Sequence, residues 1–286
     1  MTMIKKLSII AAIILLIGII GSIVTYESSA GSYFSKTEET IEMSEITNMM
    51  IKTENARVII QPTTSSEALV ELSGNRTNYE LTTEKNESTL SIDLQDERKK
   101  QLINISFRPK GLTMTVSVPE KHYNQIQLET RNGRIDVANI QTNDLNAISN
   151  NGRVDMKEIN GTTITAETRN GELRLANLTA DLVDLTARNG SIKLTDVDGD
   201  GELKGKTANG SITLDTDTLD RNIHFETNNG SIKITTNHRP ANATFDTRTK
   251  NGSIRIFGER IGSTTTGDGE HQIKLTTNNG SITVED

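Results

Sequence analysis

Three carboxylates at alternate positions, Asp196, Asp198 and Asp200, with Gly201 sixth, read like the first half of a calcium-binding loop. The twelfth position of such a loop needs a bidentate Glu, and here it is Thr207. No helical pattern flanks the segment, and a solvated turn accounts for the same carboxylates, so no metal is assigned. Gly205-Lys206-Thr207 has the ending of a phosphate-binding loop, but the glycine required five residues earlier is Asp200. His122, His224, His238 and His271 are scattered without ligand spacing, and no serine has the setting of a nucleophile elbow. The chain has no Cys, which removes disulfides, thiolate metal sites and thiol nucleophiles together.

Arginine gives a stronger pattern. Arg131, Arg134, Arg153, Arg169 and Arg188 each lie one residue before or two after an Asn that recurs along the chain. Stacked and outward, they would form a basic stripe able to hold an anion. The competing reading pairs them with Glu129, Asp136, Asp155 and Glu167 as exposed ion pairs, which contribute little.

The element that must position these residues is a repeat. Asn-Gly recurs at Asn132-Gly133, Asn151-Gly152, Asn170-Gly171, Asn189-Gly190, Asn209-Gly210, Asn229-Gly230, Asn251-Gly252 and Asn279-Gly280, at spacings of 19, 19, 19, 20, 20, 22 and 28. Apolar residues hold the positions six before, three after and five after each Asn, as in Ile164, Leu173 and Leu175 around Asn170. Thr or Ser stands two before it in seven of the eight units, with Ala187 the exception. Alternation of this kind marks strands with one buried face. The inward parity shifts after each Gly, which predicts a turn there, with positive φ tolerated by Asn and Gly. A further apolar residue eight past the Asn (Ile140, Ile159, Leu178, Val197) changes parity again and implies a second corner.

Two strands and a short return make one coil of a parallel β-solenoid, whose stacked coils lie about 4.8 Å apart. An antiparallel meander is the alternative, since Asn-Gly is also a hairpin turn. It would set Arg131 against Arg134, which like charge disfavours. In a solenoid the Asn side chains are expected to face inward as an amide ladder. Residues 45–125 repeat the template weakly around Asn55-Ala56 and are expected to be an irregular β-rich cap before the coils of residues 126–286. The last unit holds Ile282 and Val284, so it is expected to be the outermost coil. Residues 258–270 then either fold over it or leave its edge as a docking surface.

Composition agrees with a thin, repetitive core: 33% hydrophobic, 3% aromatic and no Trp over 286 residues. The formal charge of −7 argues against a nucleic-acid partner. Lys5 and Lys6 precede an apolar stretch at 7–24, long enough as a helix to span a hydrocarbon core of about 30 Å. The positive-inside rule then puts residues 1–26 down as a cytoplasmic tip and transmembrane signal anchor, 27–44 as a flexible stalk, and the bulk of the chain outside. Cleavage after Ala30 is the alternative.

The run Leu112-Thr113-Met114-Thr115-Val116-Ser117-Val118-Pro119-Glu120-Lys121 precedes Asn-Gly units that carry Ser-Ile at Ser191-Ile192, Ser211-Ile212, Ser231-Ile232, Ser253-Ile254 and Ser281-Ile282. Over residues 45–286 this resembles the candidate-adhesin β-strand-repeat family of unknown function, common in Gram-positive bacteria. With its N-terminal anchor, the chain is similar to LiaG-type membrane proteins associated with envelope stress. The resemblance implies a right-handed β-solenoid at the cell surface and brings no established catalytic residues to carry over; no cofactor is expected. Its partners would be an anionic wall polymer or another envelope protein. A polysaccharide-active β-helix enzyme is the rival reading; it would need acidic and basic residues converging at a break in the repeat, and the middle units show none.

Overall fold

The computed structural model describes residues 37–74, 79–96 and 111–286. All regular structure among them is β, in 22 strands joined into one hydrogen-bonded system. The apolar stretch at 7–24 lies outside the described residues, as do residues 27–36 of the expected stalk. Thr37–Glu42, also assigned to that stalk, is instead a strand paired antiparallel with Glu67–Ser73, and Ile41 and Met43 are buried. Its single apolar pair was too short a pattern to reveal a strand.

The repeat units stack as parallel coils, each named here by its asparagine. Val154 lies beside Ile135 on one side and Leu173 on the other, and Ile164 lies between Leu145 and Val183. This register excludes the meander. Every coil therefore places the same template positions one above another, and the inward column is almost dry: Ile164, Leu173, Ile192, Ile212 and Ile232 are all 0% exposed. At about 25 cal/mol per Å² of apolar surface, such columns supply the driving force in place of a thick core. The Asn55 coil is the lowest regular one, with Met49 against Ile126 and Val58 against Ile135. Below it the strands Thr89–Asp96 and Thr113–Pro119 are still parallel to it, but each carries an antiparallel partner on its outer side. The cap thus ends the parallel stack in antiparallel pairs.

The two corners work by different means. At the first, the Asn-Gly glycines have no positive φ, contrary to expectation. Their need is steric: a Cβ on Gly171 would stand 1.8 Å from the carbonyl oxygen of Gly152, and one on Gly190 would stand 1.5 Å from that of Gly171. Ala56 fits the same column because it is the lowest member and no Asn-Gly unit lies beneath it. Positive φ is found at the second corner, in the column Asn139, Glu158, Asn177 and Asp196 (φ 56°, 56°, 55° and 47°). One left-handed residue there shifts the parity and returns Ile140, Ile159, Leu178 and Val197 to the interior.

The coil order at the far end departs from the sequence. His271–Asn279 pairs in parallel with both Asn222–Asn229 and Ala243–Asn251, and Ile282–Glu285 likewise pairs with Ile232–Thr236 and Ile254–Ile256. The last unit in sequence is therefore inserted between its two predecessors, and the expectation that it forms the outermost coil is overturned. The outermost coil is that of Asn251, and Ser263–Thr266, within the 258–270 segment, pairs antiparallel on its Ala243–Asn251 strand.

Candidate interaction surface

The asparagines form a ladder, but on the outside. Nδ2 of each donates to Oδ1 of the one below through Asn251, Asn279, Asn229, Asn209, Asn189, Asn170, Asn151, Asn132 and Asn55, at 2.6–2.8 Å throughout. All eight bonds point the same way along the stack, so they polarise one another. Each internal rung uses one of two N–H groups and one of two acceptor positions, which leaves a donor and an acceptor free for solvent or a ligand.

The inward polar column is made by the hydroxyls two residues earlier. Ser149, Thr168, Thr207, Thr227, Thr277 and Thr249 donate to the carbonyls of Gly133, Gly152, Gly190, Gly210, Gly230 and Gly280 at 2.8–3.1 Å. Thr130, Ser149 and Thr168 also accept from the glycine N–H groups three residues on. These buried hydroxyls satisfy the corner that the close glycine approach creates. The periodicity displayed them, but amide chemistry drew attention to the asparagines instead. The inward-facing expectation for Asn fails because a Thr-sized hydroxyl already occupies that place.

The five arginines flank the amide ladder in two columns rather than one. Arg131, Arg169 and Arg188 stand one residue before the Asn, with Asn150 between the first two and Lys250 in the uppermost coil. Arg131 meets Glu54 at 3.4 Å, while Arg169 and Arg188 have no ion pair among the described residues and are exposed. Arg134 and Arg153 lie on the other side and are engaged, Arg134 with Asp136 and with Asp155 at 3.0 Å, and Arg153 with Glu172 at 3.5 Å. Glu172 takes the arginine position in its own coil. Burial works to raise its pKa, but hydrogen bonds from Lys193 and Arg174, both at 2.7 Å, outweigh this and hold it below the ordinary glutamate value.

Two of the carboxylates that suggested calcium, Asp198 and Asp200, act on a cation of the chain's own. Arg221 is 5% exposed and donates to the carbonyls of Val197, Ala180 and Asp181 at 3.3–3.4 Å. Burial lowers its pKa, while Asp198, Asp181 and Asp200 pull it up. Asp196 is the left-handed corner residue, and no group of three acidic or His side chains gathers among the described residues. Arg221 sits one coil above Gly201, in the column of Asp181. Sequence reasoning missed it because it belongs to no repeated position; the available signal was a cation aligned with Gly201 and Asp181.

Two other motifs resolve into packing. Gly205 is buried under Phe225, where a Cβ would lie 2.9 Å from the ring, and Lys206 pairs with Glu226 at 3.1 Å. His122 meets Asn143 and His238 meets Asp217, far apart on the surface. A groove of about 490 Å³ beside the cap is lined by Pro62, Pro119, Lys121, Tyr123, Glu158 and Asn160 among others. Tyr123 donates to the Pro119 carbonyl at 2.9 Å, and burial pushes its hydroxyl pKa well up; burial lowers that of Lys121, which stands over the Tyr123 ring.

A parallel β-solenoid with a polar, ladder-bearing corner defines the class of this protein. The Toastrack DUF4097 family model matches residues 46–285, and the chain belongs to that family. No curated protein matches it. Similar solved structures include a candidate cell adhesion protein from Clostridium sporogenes (12% identity, 88% of this chain and 99% of that one, TM-score 0.26). Others are a candidate adhesin from Bacteroides fragilis (13%, 87% and 97%, TM-score 0.45) and a candidate lipid-binding protein from Parabacteroides distasonis (14%, 87% and 97%, TM-score 0.47).

Proposed function

We propose that this protein is a non-catalytic surface interaction module, a right-handed solenoid tethered by its N-terminal apolar stretch with the coils outside the membrane. Its ligand is an extended anionic polymer of the cell envelope, bound along the Asn corner. The observation that carries this reading is the pairing of an exposed amide ladder with Arg169 and Arg188, two exposed cations that no carboxylate among the described residues neutralises. Ladder N–H groups recur at every coil; Arg131, paired with Glu54, lies two coils below Arg169, and Lys250 stands in the outermost coil. A repeating acceptor lying along the stack meets the same donors coil after coil, so modest contacts add along its length. Elsewhere the acidic groups near this corner, Asp136, Asp155 and Glu172, are held in ion pairs, which suits solubility better than proton transfer. The test is co-sedimentation of the full-length chain with purified anionic wall polymer. Arg169→Ser with Arg188→Ser is expected to reduce binding severalfold, and raising salt is expected to weaken the unmodified chain, because exposed charges are screened beyond about 8–10 Å. Binding that ignores both changes would remove this corner as the site.

A further inference from the structure

The inserted coil points to a second use of the repeat, independent of polymer binding. We infer that residues 271–285 are exchangeable between copies: the slot between the Asn229 and Asn251 coils accepts this coil from a second molecule of the same chain. The slot is filled by Ile273, Leu275, Ile282 and Val284, all 0% exposed, and by backbone pairing on both sides. Apart from Gln272, which donates to the Gly269 carbonyl of the coil's own tether at 3.0 Å, the side-chain contacts that seat the coil are made to the two flanking coils or their connection. Asn279 bonds Asn229 and Asn251, Asn278 donates to Asn228 at 2.6 Å, and Ser253 donates to Ser281 at 3.1 Å. Lys233 pairs with Glu285, and Arg239, in the connection that climbs past the slot, forks onto Asp286 with two bonds of 3.0 Å.

None of these contacts depends on which molecule supplies the coil. A second copy brings the same residues in the same register, so reciprocal exchange preserves all of them, which is the condition for domain swapping at low cost. Only the tether changes. Residues 257–270 contain Gly258, Gly267 and Gly269 at positive φ, and fully extended they reach roughly 46–50 Å, enough to cross into a neighbouring stack. What opposes exchange is the strand in the tether itself: extending it withdraws Ser263–Thr266 from the outer edge of Ala243–Asn251. The closed monomer is therefore favoured when dilute and the exchanged dimer when concentrated.

The absence of native Cys makes the test direct. Lys233 and Thr283 are register partners on adjacent parallel strands, about 4.8 Å apart, within disulfide range. In the full-length chain, Lys233→Cys with Thr283→Cys in one molecule is expected to close an intrachain bond when dilute. The two single variants, mixed at high concentration, warmed, cooled and oxidised, are expected to give a heterodimer on non-reducing gels. Thr283→Cys mixed with Lys193→Cys, a site outside the slot, should stay at background. Arg239→Ala, which removes the Asp286 latch from the closed and exchanged forms alike, should speed the appearance of the heterodimer a few-fold without changing its final fraction. An intrachain bond in the double variant with no heterodimer above background, even with Arg239→Ala, overturns exchange. Failure of the double variant to close overturns the inserted order on which exchange depends. Since polymer is absent from every arm, neither result bears on the proposed ligand.

Discussion

At the residue scale, the repeat is built around the distance between a glycine and the carbonyl one coil below. The Asn-Gly column was plain in the sequence, but its cause was not, because a turn that needs positive φ and a stack that forbids a Cβ select the same residue. Ala56 separates the two, since it keeps the column's place where no Asn-Gly unit lies beneath. Gly190→Ala is expected to cost about 3 kcal/mol or more, at the upper end of overpacking, whereas Gly111→Ala, with nothing within 4 Å of its Cβ, stays within about 0.5 kcal/mol. The hydroxyl column gives the opposite sign at its one gap. Ala187 is 3% exposed and leaves the Gly171 carbonyl without the hydroxyl that its equivalents receive. Ala187→Thr is expected to raise stability by about 0.5–1.5 kcal/mol, the net value of a hydrogen bond, in urea unfolding. A lower midpoint for this variant would mean that the column serves packing rather than hydrogen bonding.

Single elements carry the next level of control, and the charged column on the first corner is the clearest case. The sequence showed arginines at Arg134 and Arg153 and alternating acids, but not that Glu172 would replace the arginine one coil up and gather three cations. Arg174 lies two residues on in the same coil, but Arg153 and Lys193 reach Glu172 only through register, from the coils on either side. Because the folded-state pKa of Glu172 lies below its unfolded value of about 4.3, its contribution is present above that value and lost as pH falls through the folded one. Stability measured by urea midpoint should therefore fall as pH drops below about 5. Glu172→Gln is expected to flatten that fall while lowering stability at neutral pH. An unchanged acid slope would show that other carboxylates dominate it. The second corner was legible only as a change of parity. Its left-handed column holds Asn at Asn139 and Asn177 but Glu at Glu158, so residue type alone did not mark it.

For the whole molecule, strand content, parallel stacking and coil length followed from the repeat, while the order of the last coils did not. Units that share one template are equally good neighbours, so the pattern that reveals the stack cannot rank its members. What decides the order is the tether at 257–270, which lays Ser263–Thr266 over the outermost strand before the chain turns back into the stack. Hydrogen exchange distinguishes the two orders. A stack following the sequence would leave residues 271–285 at the free end, opening first because local openings spread from ends in a quasi-one-dimensional fold. In the observed order those residues are bonded on both sides, through Ile223–Ile273–Phe245 on one face and Ile232–Ile282–Ile254 on the other. Ile254–Ile256, although earlier in the chain, has a paired strand on one side and an isolated bridge from Ile256 to Glu259 on the other. Amides of residues 273–277 and 282–284 are thus expected to exchange more slowly than those of 254–256 and 263–266, despite lying later in the chain. The central coils around Ile164 and Val183 should be slowest of all. Faster exchange at 282–284 than at 254–256 would place the last unit back at the end of the stack and remove the inserted coil.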